Sequence, residues 1–124
     1  MALIYHKLGD KEAAKLLIGR SLSANPTYNE ARYNLATMLK EEGKLKAAAA
    51  EYRRTIRTNP KFAEAHNNLG IVLRDLGKLE KAVASYHKAL ALNPDYPEAH
   101  YNLGNALREL SKPDDAVTSY RKAL

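Results

Sequence analysis

The sequence predicts an all-α stack of helical hairpins, and three observations carry that prediction. Asn25-Pro26, Asn59-Pro60 and Asn93-Pro94 recur at one constant interval, and Leu35, Leu69 and Leu103 recur at the same one. Residues 63–90 and 97–124 agree at 17 of 28 positions, so the period is a copied unit and not a similarity of composition. Within that unit, apolar residues follow helical spacing on both sides of a central glycine. A fixed period of this order marks a stacked repeat, whose core is a row of interfaces with no single centre.

Aligned on the Asn-Pro pairs, residues 1–124 form one solenoid without a linker. It holds a partial repeat at 1–28, complete repeats at 29–62 and 63–96, and a shortened one at 97–124. In the 63–96 unit, Ala65, Leu69, Val72, Leu73 and Leu76 share one stripe of a first helix. Leu79, Ala82, Val83, Tyr86, Ala89 and Leu90 share one stripe of a second, so both helices are amphipathic.

Gly9, Gly43 and Gly77 fall where each first helix should end, a position that often needs the left-handed backbone glycine adopts at little cost. Ser111 takes that place in the last unit, and Pro113 suits the first turn of the helix after it. Asp114 and Asp115 then sit at the positive end of the helix dipole. At each Asn-Pro, a left-handed Asn cap is expected to stop one hairpin, because proline cannot continue a helix. Small residues at Ala36, Gly70 and Gly104, facing Ala48, Ala82 and Ala116, let helices approach to about 8–10 Å. Tyr52, Tyr86 and Tyr120 supply the large apolar surface at each interface.

Composition narrows the function classes. The chain is 45% hydrophobic and 27% charged, which is globular and not disordered. No apolar run approaches the roughly 20 residues a spanning helix needs, so no membrane role is expected. Cysteine is absent, which removes disulfides, thiolate metal sites and cysteine nucleophiles together. The opening MALIYHKLGD lacks the basic start and apolar core of a signal peptide, and a cytoplasmic location is expected. The first unit also begins in mid-helix, so the parent protein is expected to extend further upstream.

Leu69-Gly70, Leu73, Gly77, Ala82, Tyr86, Ala89 and Pro94 together resemble the signature of the tetratricopeptide repeat, a helix-turn-helix unit. The resemblance spans the whole chain and implies a right-handed superhelical solenoid that binds proteins or peptides. Departures occur at the family's usual Trp, here Arg32, His66 and His100, and at its first Tyr, here Leu39, Leu73 and Leu107. The variant A-H-x-N-L-G, at 65–70 and 99–104, with G-K-L further on, looks most like the repeat arms of O-linked N-acetylglucosaminyl transferases. That likeness implies an alternative role as the substrate-selecting arm of a larger glycosyltransferase.

Tetratricopeptide arrays, to which this chain is similar, line a concave groove with their first helices. The residues that packing leaves over on those helices are therefore the candidate site. They are Glu30, Tyr33, Asn34, Thr37 and Lys40, then Glu64, Asn67, Asn68, Ile71 and Arg74, then Glu98, Tyr101, Asn102, Asn105 and Arg108. Asn34, Asn68 and Asn102 form a ladder with one rung per repeat. Asparagine carries both a donor and an acceptor and can pair with a peptide amide whatever its side chain. The same ladder can equally serve packing by bonding to neighbouring helices, and the sequence favours neither use. Tyr33, Tyr101 and Ile71 offer apolar contacts. The clamp that holds a terminal carboxylate in some arrays is not kept. Tyr33 and Glu98 stand where its lysines would be, and Asn102 where its arginine would be.

Other chemistries find little footing. His66 and His100 share a register, but a metal site needs several converging ligands, and nothing beside these two supplies the rest, so no metal or other cofactor is expected. Lysine and arginine outnumber the acids by 20 to 14, for a net charge of +6. Most of that excess lies on the second helices and turns, at Arg53, Arg54, Arg57, Lys61, Lys81, Lys88, Arg121 and Lys122, and reads as a solvated convex face. The groove row is acidic on balance, because Glu41, Asp75 and Glu109 join Glu30, Glu64 and Glu98. Nucleic acid therefore ranks low, as a basic helical repeat of that kind needs a positive groove. The polar residues are periodic and not convergent, so no enzyme is expected. Val117, Tyr120 and Leu124 on the last helix have no later repeat to cover them and are expected to support end-to-end self-association.

Overall fold

The computed structural model describes residues 29–111 and 113–124. The partial repeat expected over 1–28, with Gly9 and Asn25-Pro26, lies outside the described residues. Six helices follow in order: α1 (Asn29–Glu41), α2 (Leu45–Thr58), α3 (Ala63–Asp75), α4 (Leu79–Leu92), α5 (Pro97–Glu109) and α6 (Pro113–Ala123). Helices of one kind begin at the interval of the sequence repeat, at Asn29, Ala63 and Pro97 and again at Leu45, Leu79 and Pro113. Among the described residues there is no strand.

Three antiparallel hairpins, α1/α2, α3/α4 and α5/α6, stack as α2 packs on α3 and α4 on α5. The first helices α1, α3 and α5 also approach one another in turn, whereas α2, α4 and α6 make no such mutual approach. That asymmetry bends the stack. First helices lie on its inner side, second helices are spread along its outer side, and the fold is a superhelical α-α solenoid.

Local chemistry explains the turns. Gly77 has φ 80°, its N–H bonds the Arg74 carbonyl at 2.9 Å, and the Lys78 N–H bonds the Leu73 carbonyl at 2.8 Å. These two bonds cap the end of α3, and Gly43 repeats the arrangement after α1 with φ 77°. Ser111 adopts φ 63° without being glycine, so the turn imposes the left-handed backbone on whatever residue stands there.

The Asn-Pro stops work differently from the left-handed cap expected. Asn59 and Asn93 have φ −132° and −139° with ψ 89°, which is extended backbone. The proline that follows disfavours helical geometry in the residue before it and drives each asparagine into the β region. Asn59 instead bonds the Lys61 N–H through its side-chain oxygen at 3.1 Å, while its own N–H closes α2 on the Thr55 carbonyl at 2.9 Å.

One apolar cluster runs through all three hairpins. Ala36, Ala48, Tyr52, Ala65, Val72, Ala82, Tyr86 and Ala106 are fully buried within it. A Cβ added to Gly70 would lie 2.5 Å from the Tyr86 ring, and one added to Gly104 would lie 2.6 Å from that of Tyr120. The small residues are therefore seats for the tyrosines, each of which covers the helix backbone directly. Burying a side chain of the size of Val72 or Leu73 stabilises by about 1.5–3 kcal/mol, and the repeat multiplies that gain along the stack.

Candidate functional site

The candidate residues stand on the inner face, and each register position behaves in its own way. Thr37, Ile71 and Asn105 share one register, in which Thr37 and Asn105 meet the tyrosine of their own hairpin. Thr37 Oγ1 donates to the Tyr33 carbonyl at 3.1 Å, so in the 2.9 Å contact with Tyr52 the phenol must donate. Tyr120 Oη donates to Asn105 Oδ1 at 2.6 Å. Thr37 and Asn105 are thereby engaged within their own hairpins. Ile71 offers no polar atom, and the buried Tyr86 hydroxyl has no partner.

The next positions bond across repeats, each to a partner one full repeat and one further residue away in the chain. Asn68 Nδ2 donates to Tyr33 Oη at 2.7 Å, and Asn102 Nδ2 donates to Asn67 Oδ1 at 3.1 Å. Arg74 donates through Nε to Glu109 at 2.7 Å and through Nη2 at 2.5 Å. Lys40 Nζ reaches Asn68 Oδ1 at 3.3 Å. A repeat's inner face is thus laced to its neighbour. Asparagine has two N–H donors and two acceptor lone pairs, so Asn68 keeps one of each and Asn102 keeps its whole oxygen. Asn34 is exposed.

Aromatic residues divide the face into covered and open stretches. Tyr33 stacks on Phe62 with ring centroids 4.7 Å apart and leans on Tyr52 at 5.8 Å. Burial, reinforced by the charge of Glu64, raises the Tyr33 pKa. Tyr101 stands in the same register, leans on Tyr120 at 5.9 Å, and is 57% exposed. Asn67, in that register on α3, is buried and receives the bond from Asn102. Glu30, Glu64, Glu98 and Arg108 are exposed along the rim.

Between α3 and α5 these residues enclose an open cleft of about 640 Å³. Asn67, Asn68 and Ile71 line one wall, Glu98, Tyr101 and Asn102 the other, Tyr96 with Pro97 closes one end, and Ala123 with Leu124 at the end of α6 also borders it. Tyr96 was not among the residues singled out from the sequence. Its pKa is pushed up to about 12, first by burial and then by the charge of Glu64. The signal for it was present, because Tyr96 is the counterpart of Phe62 one repeat later, just before the helix start.

Arg32, His66 and His100 occupy the interface positions where the signature has Trp. His66 Nε2 meets the Pro60 carbonyl at 3.0 Å and His100 Nε2 the Pro94 carbonyl at 2.8 Å. A carbonyl only accepts, so Nε2 carries the hydrogen in both rings. Each histidine pins the Asn-Pro turn to the helix that follows. Among the described residues no group of three or more metal-ligating side chains converges, and no helix is long and apolar enough to cross a membrane.

A tetratricopeptide repeat profile matches residues 1–61 and 39–86, and further repeat profiles match 72–111 and 99–124. The chain belongs to the tetratricopeptide repeat family. Similar solved structures of this tetratricopeptide repeat chain include two of MamA. One is 27% identical with a TM-score of 0.88, over 96% of this chain and 70% of that one. The other is 28% identical with a TM-score of 0.87, over 97% and 66%. A MamA RS-1 double mutant, 24% identical with a TM-score of 0.87 over 99% and 69%, shares the fold. A search of curated proteins finds no match. Nothing in these relatives ties the tetratricopeptide repeats here to the glycosyltransferase arms that the A-H-x-N-L-G variant resembles. Membership of the family supports a protein-interaction scaffold, and tetratricopeptide proteins are typically non-catalytic.

Proposed function

We propose that this chain binds an extended peptide segment of a partner protein along the inner face of α1, α3 and α5. The observation that carries the reading is the cleft between α3 and α5, where Asn68, Ile71, Glu98, Tyr101 and Asn102 border one open space. The unspent donor and acceptor of Asn68 and the free oxygen of Asn102 suit paired bonds to peptide amides. Tyr101 and Ile71 supply the apolar contacts, and the exposed Glu64, Glu98 and Arg108 set the charge preference. Asn34 extends the ladder onto α1.

Titration of a peptide library against the chain and its Asn34→Ala and Asn68→Ala variants tests the reading. Asn34 makes no described side-chain bond, so Asn34→Ala should weaken binding by about tenfold with an unchanged melting temperature. Asn68→Ala should weaken binding and also soften the α1–α3 contact, since it releases Tyr33. Intact binding in both variants would refute a role for the ladder in peptide binding.

Self-association through α6 is the second part of the partner reading. Val117 is 46% exposed and Leu124 fully so, whereas Tyr120 is turned into its own hairpin. Val117 therefore leads that contact, and Leu124, which also borders the inner cleft, is shared between the two surfaces. Sedimentation equilibrium of Val117→Lys should show a weaker dimer than the unaltered chain. The narrower reading, a substrate-selecting arm of a glycosyltransferase, has the A-H-x-N-L-G motif behind it and no support from the relatives found.

A further inference from the structure

The basic excess of the chain is not spread evenly over the outer surface. Because α2 and α4 do not approach one another, a channel runs between them, floored by Leu69 and Leu73 of α3 with Ile56 beside them. Arg53 and Arg57 stand along one bank and Lys81 and Lys88 along the other, all four exposed. None of them is ion-paired to a described residue, and no carboxylate lines the channel.

The next channel, between α4 and α6, is an internal control. It is built from the counterpart residues one repeat later and keeps an aliphatic floor in Leu90, Leu103 and Leu107. Its banks, however, read His87, Ala91, Asp115 and Lys122. The same helices, turns and floor therefore form without the arginines and with an acid in place of Lys81. Helix packing does not call for Arg53, Arg57 or Lys81, and only Lys88 is kept, as Lys122. Gathered around an apolar floor, the four cations repel one another until an anionic occupant neutralises them.

We propose that the α2–α4 channel docks an acidic amphipathic helix of a partner protein. Its aliphatic stripe would rest on Ile56, Leu69 and Leu73, and its flanking carboxylates would pair with Arg53, Arg57, Lys81 and Lys88. A nucleic acid fits less well, because the one aromatic ring lining the channel, His66, is buried and tied to the Pro60 carbonyl, and phosphates make no use of an aliphatic floor. This surface lies on the opposite side of the stack from the inner cleft, so neither reading depends on the other.

The test uses the full 124-residue chain and a fluorescent peptide of about 18 residues, five helical turns, with a leucine stripe flanked by glutamates. A second peptide keeps the glutamates and replaces leucine by serine, and a single-stranded RNA of equal charge is the third probe. The variant Arg53→His, Arg57→Ala, Lys81→Asp carries the residues of the next channel, which this fold already accommodates. At physiological salt the leucine peptide should bind at least about tenfold tighter than the serine peptide, and the triple variant should lose at least about tenfold. Asn34→Ala on the inner face should leave that affinity unchanged. Equal affinity for the two peptides, undiminished binding by the triple variant, or tighter binding of the RNA would each overturn the proposal. Should the triple variant melt early, Lys88→Glu at an exposed position replaces it, with a several-fold loss expected and an unchanged affinity counting against the channel.

Discussion

Ile71 leaves the Tyr86 hydroxyl buried and without a hydrogen-bond partner. The two tyrosines in equivalent places are satisfied, Tyr52 by Thr37 at 2.9 Å and Tyr120 by Asn105 at 2.6 Å. An unpaired buried hydroxyl costs about 1–3 kcal/mol. Ile71→Thr should restore the bond and raise the melting temperature by a few degrees. Tyr86→Phe should be neutral or stabilising, while Tyr52→Phe should cost about 1 kcal/mol in urea unfolding. Equal losses in the two phenylalanine variants would refute the assignment.

Ser111 and Gly77 close equivalent turns with left-handed backbone, at φ 63° and 80°. A residue with a Cβ is strained there by roughly 1–2 kcal/mol. Ser111→Gly should therefore stabilise the chain and Gly77→Ser destabilise it, both read by thermal unfolding. The reverse pair of shifts, a fall for Ser111→Gly and a rise for Gly77→Ser, would show that chain entropy, and not backbone strain, governs these turns.

Ala82 is fully buried where α4 meets its neighbours. Ala82→Leu should overpack that contact at a cost of about 1–3 kcal/mol, and an unaltered melting temperature would contradict the packing described.

Alkaline pH should unfold the chain through its phenols. Burial raises Tyr52 and Tyr96 to about 12 and raises Tyr86 as well, from the ordinary value of 10.0. A raised pKa means that the folded state holds the proton more tightly than the unfolded state. The stabilisation is complete below the ordinary phenol value and is lost as pH climbs through the folded ones. Lys40 works in the opposite sense, since burial lowers its pKa. Urea midpoints followed from about pH 9 to about pH 12 should fall, and fall less steeply in Tyr52→Phe.

Arg74 and Glu109 bridge α3 and α5 on the inner face, with their side chains about one-third exposed. An ion pair this wet contributes at most about 1 kcal/mol. Glu109→Gln should lower stability by no more than that, and the loss should shrink in high salt.

The fold was legible because its signals are local and repeated. Glycine ends a first helix, Asn-Pro separates the hairpins, and apolar stripes at helical spacing name the buried face, so Tyr86, Ala82 and Leu73 could be assigned from the string alone. The manner of the Asn-Pro stop was not, because the extended asparagine answers to the proline after it and to a side-chain bond in the turn. The inner row was legible as a set of residues that packing leaves over. Its division into Asn34, which is exposed, Asn68, which is half-spent on Tyr33 and Lys40, and Asn67, which is buried, was not.

The sequence by itself determined the repeat, the helix boundaries near Gly43, Gly77 and Ser111, and the face each helix buries, since those follow from the spacing of residues within one hairpin. Only the tertiary structure decided which inner residues are tied across repeats, as Asn68 is to Tyr33 and Arg74 to Glu109. Only it showed that the outer cations gather over an apolar channel between α2 and α4. Both depend on the rise and rotation from one hairpin to the next, and the shape and packing of whole interfaces set that geometry.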